Sequence, residues 1–377
     1  MAFVTHEYHP TFGGAATVVG ELAAAAVRLG MEARVLAPGK AYPADAGSPF
    51  PVERMGHRGK QDWLARRSLL GYLRRRGTPA GQRLVFAEPG AVRAACYAPL
   101  LGLGFDRPPL VVLHGTEILR FTALPHRRRL FRRFLDSAER ILVLSEANRA
   151  LLDSRLPGLR SEIVVAAGAP SRWARDNLGG ASFSGTPDKR LAVLTVGRIH
   201  PRKGQLETLE ALRNLGPSLR DRIRYRIVGP SVRRGYRRRI ENLARKSPFP
   251  VELTGPLDDA DLREAYAAAD LFALCSQPRG HSIEGFGLVY LDAAASGLPV
   301  VATRTGGVPE AVLDGETGLL ADPGSTESLA RCFAKLLSEP ESRRAMGEAG
   351  RAHAASLRWE TAAGKLLEGL PGDRRVL

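Results

Sequence analysis

The feature that most constrains the fold is a unit that occurs in both halves of the chain: a short apolar run, a glycine-bearing loop, then a helical pattern. From Leu271 to Cys275 the run has the length and flanks of a buried strand; beyond Gly285 and Gly287 it turns helical from about Leu288, with Ser296-Gly297 as the stop signal. Near the start, Ala2 to Thr5 is a strand and His6 to Phe12 a loop. Gly13-Gly14 then opens a helix over Ala15 to Leu29, Gly30 ends it, and Ala33 to Ala37 is the next strand. Strand, loop, helix and strand in that order imply a parallel sheet with ligands at the carboxyl ends of its strands. Glycine lets backbone approach a ligand, and a helix N-terminus offers free N–H groups and the positive end of its dipole. The stretch Ser282 to Gly297 is therefore a ready anion site. Two acids are placed to face it, Glu284 on the loop and Asp292 one to two turns into the helix.

At 377 residues the chain is long enough for two domains, each with its own core. Hydrophobic residues at 44% and charged residues at 25% describe a globular protein. No uninterrupted apolar run reaches about 18 residues, so no membrane span is expected. Met1 leads directly into a strand without a basic n-region, so no secretory signal is expected and the compartment is read as cytoplasmic. Cys96, Cys275 and Cys332 are unclustered and sit in apolar surroundings, as reduced core residues do. The net charge of +16 points to a polyanionic partner, an anionic membrane or a phosphorylated substrate, although an excess of Arg over Lys lets compositional bias account for part of it.

Further strands are expected in the first half at Arg83 to Ala87, Leu110 to Leu113, Arg140 to Leu144 and Glu162 to Ala166. The second of these ends in His114-Gly115-Thr116-Glu117; a lone His there fits either a ligand contact or a packed, capping role. Gly13-Gly14 lacks the full dinucleotide fingerprint and can equally be a tight turn. His6-Glu7-Tyr8-His9 does not match the helical zinc motif, and on a strand alternate side chains point to opposite faces. Arg66 to Arg76 and His126 to Phe134 interleave arginines with Leu, Phe and Tyr at amphipathic-helix spacing, as either a membrane-facing or a merely solvated face would.

Ser171 to Lys189, rich in Gly, Ser and Pro with little apolar periodicity, reads as a linker. We place a first domain at 1–178, the linker proper at 179–189, a second domain at 190–356, and a final amphipathic helix within 357–377. Strand Leu191 to Val196 ends in Gly197-Arg198, followed by Pro201-Arg202-Lys203-Gly204 and a helix from about Gln205. A strand end, a basic loop and a helix start are what a diphosphate needs. Strand Arg224 to Val228 precedes a very basic helix, Ser231 to Lys246, read as a solvated face that includes Arg233 to Arg239. Strand Val251 to Thr254 ends in Gly255-Pro256-Leu257. Asp258-Asp259-Ala260-Asp261 directly precedes a helix, so capping explains it better than metal ligation. Val300-Val301 is the last strand expected, with helices to about Ser356.

Glu284, seven residues, then an acid at Asp292 resembles the motif of the retaining, GT-B-fold glycosyltransferases of family four (group 1), which includes sucrose, mannosyl and lipopolysaccharide glucosyl transferases; the family carries Glu at the second position. The resemblance runs over nearly the whole chain and is strongest in the second half. It implies two Rossmann-like α/β domains facing across a cleft, donor nucleotide on the second, acceptor on the first, and a last helix crossing back. It assigns Glu284 to donor-sugar hydroxyls, Asp292 to the ribose, and Arg198 and Lys203, but not Arg202, to the diphosphate. It further assigns Gly13, Gly14, Gly197 and the amides of Gly285, Phe286, Gly287 and Leu288 to the donor, Leu257 to the base through main-chain groups, and His114 to the donor sugar. Where the family usually has Asn-Gly this chain has Ala167-Gly168, and no role passes to Ala167.

The implied reaction is hexosyl transfer from a nucleoside diphosphate sugar, UDP favoured, to a hydroxyl acceptor with retention. No metal and no cofactor beyond the donor is expected. Two expectations for the acceptor follow from the charge: lipid-linked, with the protein peripheral on an anionic inner membrane face, or soluble. A same-fold epimerase, a nucleic-acid-binding protein and a silent scaffold compete; no aromatic-basic recognition motif or zinc spacing supports nucleic acid.

Overall fold

The apolar runs become strands, and every strand pair is parallel. The first seven are β1 (Ala2–Val4), β2 (Arg34–Ala37), β3 (Val52–Arg54), β4 (Leu84–Phe86), β5 (Leu110–Leu113), β6 (Arg140–Val143) and β7 (Glu162–Val165). They form one sheet in the order β3-β2-β1-β4-β5-β6-β7. The next six are β8 (Leu191–Val196), β9 (Ile223–Val228), β10 (Val251–Gly255), β11 (Leu271–Leu274), β12 (Val300–Thr303) and β13 (Gly318–Ala321), in the order β10-β9-β8-β11-β12-β13. The computed structural model describes residues 1–9, 13–56, 63–76, 82–176 and 190–370. Among them the chain divides into two compact units, Met1–Gly168 with Arg358–Leu377, and Ala169–Leu357.

Central strands such as β5, β6, β11 and β12 are buried along their whole length, as expected where helices cover both faces of a parallel sheet. Two edge strands, β3 and β13, were not anticipated. Val52-Glu53-Arg54 is half-buried, with one apolar residue among three, and so lacks the apolar signal of a central strand, whereas β13 is a short, mostly buried apolar run that opens on a glycine. In the first unit Val4, Phe86, Val111 and Ile141 pack with Leu69, Leu73, Phe131 and Phe134 from helices Trp63–Arg76 and Pro125–Leu135. These leucines and phenylalanines belong to the core and are not available to enter a membrane, which corrects one element of the membrane expectation. The polar faces of the same helices are exposed, including Arg67, Arg74 and Arg75 on the first and Arg127, Arg128 and Arg129 on the second. Helix Arg234–Arg245 likewise buries only Tyr236 and Ile240 and exposes Arg234, Arg238 and Arg239.

The chain passes between units at Gly168 to Ala169, earlier than composition suggested. The reason is that the segment after Gly168 packs on the second unit: Ser171 binds Asp292, and the Trp173 ring lies 5.0 Å from that of Tyr266. The expected linker at 179–189 and the tail at 371–377 lie outside the described residues. Helix Trp359–Leu367 packs in the first unit beside helix Gly14–Arg28, where Arg28 pairs with Glu360.

Arg140, at the start of β6, anchors that last helix. Its Nε and Nη2 donate to Glu162 Oε2 on β7 at 2.8 and 2.6 Å, while Nη1 donates to the carbonyls of Lys365, Leu366 and Glu368 at 3.2, 3.3 and 2.7 Å. The last carbonyls of a helix have no intrahelical donor, and here one guanidinium supplies it. Arg140→Met should cost about 2–3 kcal/mol and lower the first unit's melting temperature by about 5–10 °C, with faster amide exchange in Trp359–Leu367. Calorimetry reads this; an unmoved first-unit transition would refute the anchoring role.

Candidate active site

In each sheet the strand order reverses beside the middle: β8 is flanked by β9 on one side and β11 on the other, and β1 likewise by β2 and β4. Connections from two such neighbouring strands leave in opposite directions, which opens a crevice at their carboxyl ends. The loops after β8 and β11 are the two that carry Arg198 to Gly204 and Ser276 to Gly287.

The β8 loop is built to lie against the β11 loop. Gly204 has φ +69°, and a Cβ there would stand 1.8 Å from the carbonyl oxygen of Cys275, so only glycine permits the approach. Buried Gln205 braces the loop by donating to Arg198 O at 3.0 Å, and the Gln277 N–H donates to Arg202 O at 2.7 Å. From the loop after β12, Gly306 (φ +53°) leaves room for the Glu284 carbonyl, which a Cβ would meet at 2.0 Å and which accepts from the Gly307 N–H at 3.1 Å. Glu284 is thus fixed at its backbone before its side chain makes any contact.

The Glu284 carboxylate is 9% exposed, and its Oε2 accepts from three donors: Lys203 Nζ at 2.6 Å, Arg202 Nη1 at 2.7 Å and Ser276 Oγ at 3.0 Å. Burial pushes the carboxyl's pKa up, but Arg202, Lys203 and the hydrogen bonds outweigh it and hold the group at about 2. Burial is also the largest influence on the Lys203 ammonium, only partly offset by Glu284, and Arg202 and Arg198 add repulsion; it is drawn down to about 8. Arg198 itself is exposed and makes no ion pair among the described residues.

Helix Leu288–Ala295 starts at once after this loop with Gly287 as its N-cap, so its positive dipole end lies beside Glu284. Phe286 and Leu288 are buried, which leaves main-chain groups as what those positions can offer a ligand. Asp292 has a partner that the sequence did not suggest. It is 5% exposed, and its oxygens accept from the Ser171 N–H at 2.7 Å and the Ser171 hydroxyl at 2.9 Å. An aspartate is too short to reach far beyond its own helix, and Ser171 presents two donors at that distance. Leu257 is half-buried beyond β10, and Asp258 caps helix Asp259–Ala267 through the N–H groups of Ala260 and Asp261 at 3.0 and 2.9 Å. Among the described residues no three His, Cys, Asp or Glu side chains gather as a metal site. Cys275 borders the site as a thiol whose pKa burial raises to about 12.

In the first unit Gly13 precedes helix Gly14–Arg28, but a Cβ at Gly13 would meet Glu7 Oε2 at 3.1 Å. A carboxylate therefore stands beside this helix start, an unfavourable neighbour for a phosphate. His6 is buried against Glu88, which also accepts from the N–H groups of His6, Gly90 and Ala91 at 3.0, 2.6 and 3.0 Å. His114 is half-buried after β5, its Nε2 3.0 Å from the carbonyl of Ala87. A carbonyl only accepts, so Nε2 carries the proton of this bond, and in the neutral ring Nδ1 is then the acceptor. Buried Glu117 takes the His114 N–H. Sequence reasoning missed Arg202, Ser276, Gln205, Gln277, Glu117 and Ser171. Only Arg202, in the same basic run as Lys203, left a signal; the others act through contacts between distant segments.

Comparison with known proteins bears on both halves. Residues 182–353 match the family described as glycosyl transferases group 1, and residues 12–166 match Glycosyltransferase Family 4. The chain is 32% identical over 294 residues to the GDP-mannose-dependent alpha-(1-6)-phosphatidylinositol monomannoside mannosyltransferase of Mycobacterium tuberculosis, covering 75% of this chain and 74% of that protein. It is 38% identical over 190 residues to the D-inositol 3-phosphate glycosyltransferase of Thermobifida fusca, covering 48% and 43%. Among solved structures, sucrose-phosphate synthase from Thermosynechococcus elongatus superposes with TM-score 0.75 at 22% identity over 97% of this chain and 96% of that one. A glycosyltransferase of lipopolysaccharide biosynthesis superposes with TM-score 0.67 at 20% identity over 98% and 100%. Two parallel Rossmann-like sheets and these likenesses make the fold GT-B.

The Glu284 cluster makes acid stability site-specific. Its folded pKa, about 2, lies below the ordinary 4.5, so the unfolded chain takes up the proton first. The contribution, on the order of 3 kcal/mol, is complete above pH 4.5 and lost as pH falls through about 2. For Lys203 the folded pKa of about 8 lies below the ordinary 10.5, so stability rises with pH across that window. Denaturant midpoints of the second unit should fall with acid in the wild type and flatten in Glu284→Gln; parallel acid profiles would contradict the assignment.

Proposed function

This chain belongs to the glycosyl transferases of group 1, and from that premise we propose that it transfers a hexosyl group from a nucleoside diphosphate sugar to a hydroxyl acceptor with retention at the anomeric carbon. The observation that carries the proposal is the buried Glu284 carboxylate held by Lys203 and Arg202, where the β8 and β11 loops meet. As the glycosidic bond breaks, negative charge grows on the leaving diphosphate, and preorganised cations stabilise it without reorganising at that moment. Arg198, unpaired among the described residues, Lys203 and the N-terminus of helix Leu288–Ala295 supply that field. Glu284 accepts from donor-sugar hydroxyls. His114, with Nδ1 as acceptor, meets a substrate hydroxyl.

Retention through a glycosyl-enzyme needs a second carboxylate about 5–5.5 Å from the first, and Asp292 is engaged by Ser171 instead. This supports attack on the face the leaving group departs from. The acceptor oxygen forms the new bond to the anomeric carbon, the bond to the diphosphate breaks, and the acceptor's proton passes to the leaving phosphate.

For the donor we put GDP-mannose first, because the mannosyltransferase relative is named for it, and UDP-sugars second. For the acceptor we propose an inositol-bearing, anionic molecule, which fits a chain of net charge +16. Incubation with GDP-mannose, UDP-glucose and ADP-glucose, with inositol phosphate or phosphatidylinositol vesicles as acceptor, should yield an α-linked product at a rate that EDTA does not lower. An inverted product, or no donor consumed, would overturn the reading; donor altered without any acceptor would point to an epimerase. Arg198→Ala and Lys203→Ala should each lower turnover about 100-fold.

We further propose a peripheral membrane position that is electrostatic rather than inserted, resting on exposed Arg127, Arg128 and Arg129. No helix among the described residues is long and apolar enough to cross a membrane. Flotation should require anionic lipid, weaken with salt, and fall when the three arginines become Ser; absence of flotation at low salt would assign the acceptor to solution.

A further inference from the structure

We propose that Arg202 is a positioning residue for Glu284, holding its Oε2 so that Oε1 faces the substrate while Lys203 is released to the diphosphate. The inference rests on the transferase reading above and extends it to a residue the resemblance does not assign. One guanidinium nitrogen, Nη1, donates both to Glu284 Oε2 at 2.7 Å and to the carbonyl of the preceding residue, Ile283, at 3.2 Å. It therefore fixes the side chain and the loop that carries it together. Arg202 is itself held: its N–H donates to His200 Nδ1 at 3.1 Å, its carbonyl accepts from Gln277 at 2.7 Å, and its side chain is 13% exposed. No donor reaches Glu284 Oε1 among the described residues, while Oε2 has three.

Lys203 shares Oε2 in this structure, yet a diphosphate arriving beside Arg198 would compete for its ammonium. When Lys203 turns to phosphate, the buried carboxylate needs a cation that stays behind. Arg202 is suited to that part because its Nη1 already ties the carboxylate to the Ile283 carbonyl and a guanidinium keeps its charge when buried, whereas a buried ammonium loses its proton more readily. The charged groups around Glu284 are Arg202 and Lys203, with Ser276 and Tyr290 as neutral neighbours; around Lys203 they are Glu284, Arg202 and Arg198. Arg202 thus lowers the pKa of both the acid and the lysine, and removing it moves both upward.

Arg202→Met and Arg202→Lys test this against the wild type, with folding checked by the second unit's melting transition. In Arg202→Met, kcat with GDP-mannose or the UDP-sugar that is turned over should fall about tenfold to hundredfold, with part of the loss recovered in Arg202→Lys. Calorimetric affinity for free GDP and UDP should change less than about threefold, and both limbs of the pH–rate profile should move to higher pH. Weakening of nucleotide binding by about tenfold with kcat unchanged would make Arg202 a phosphate ligand and overturn the proposal. If the wild type turns over no sugar nucleotide, the transferase reading fails separately. Carbon NMR of the Glu284 carboxyl then decides the positioning role: its titration midpoint rises in Arg202→Met and returns toward wild type in Arg202→Lys, and an unmoved midpoint refutes it.

Discussion

A carboxylate taken almost out of water needs compensation, and at Glu284 that need organises the second unit. An isolated buried charge is costly enough that it is paired or neutralised, and the compensating cations, Arg202 and Lys203, come from a different loop. The two loops can meet because β8 and β11 are neighbours, joined through Leu271 to Val193 and Phe272 to Leu194. Gly204 against Cys275, and Gly306 against Glu284, bring the backbones close enough for the side chains to engage. Strand order, glycine placement and charge compensation are therefore parts of one arrangement. The ion cluster is also poised: Oε2 has three donors, burial draws the Lys203 ammonium down to about 8, and Arg198 is free of ion pairs among the described residues.

The first unit uses carboxylates at strand ends for a different purpose. Glu88 is fully buried after β4 and caps helix Pro89–Tyr97 while holding the His6 backbone at the end of β1. Burial raises its carboxyl pKa, but His6 and the backbone donors outweigh that and leave it lowered. Glu117 takes the backbone of His114 after β5 in the same manner. Both acids fix loops by accepting backbone N–H groups, and at Glu88 the His6 ring adds to that field. Here the acids serve to hold the chain, whereas in the second unit the acid is held by the chain.

Excess basic charge falls into separate populations. Some arginines are structural: Arg140 ties β6 to β7 and to the last helix, and Arg202 ties two loops. Others, on helices Pro125–Leu135 and Arg234–Arg245, are exposed over a buried apolar stripe. Only the exposed ones bear on partners, and the apolar residues interleaved with them are core. Amphipathic spacing identifies a helix with two faces; it does not say whether the apolar face meets protein or lipid.

The amino-acid sequence alone determined the α/β class, most strands to within a residue or two, the two-domain order and the capping role of Asp258, because strand burial, glycine punctuation and helix caps are local properties written in short windows. It also located Glu284, Lys203 and Arg198, whose loops follow apolar strands. The edge strand β3 escaped it because a half-buried strand with one apolar residue carries little signal, and β13 because its three apolar residues follow a glycine in a short run. Only the tertiary structure decided which side chains meet: Arg202 and Lys203 on Glu284, Asp292 on Ser171, Glu7 at Gly13, and Phe131 and Phe134 in the core. The pairings across loops join residues as far as 121 positions apart. Their partners are chosen by strand adjacency and by the need of each buried charge for a donor within about 3 Å, and no local window of sequence contains that choice.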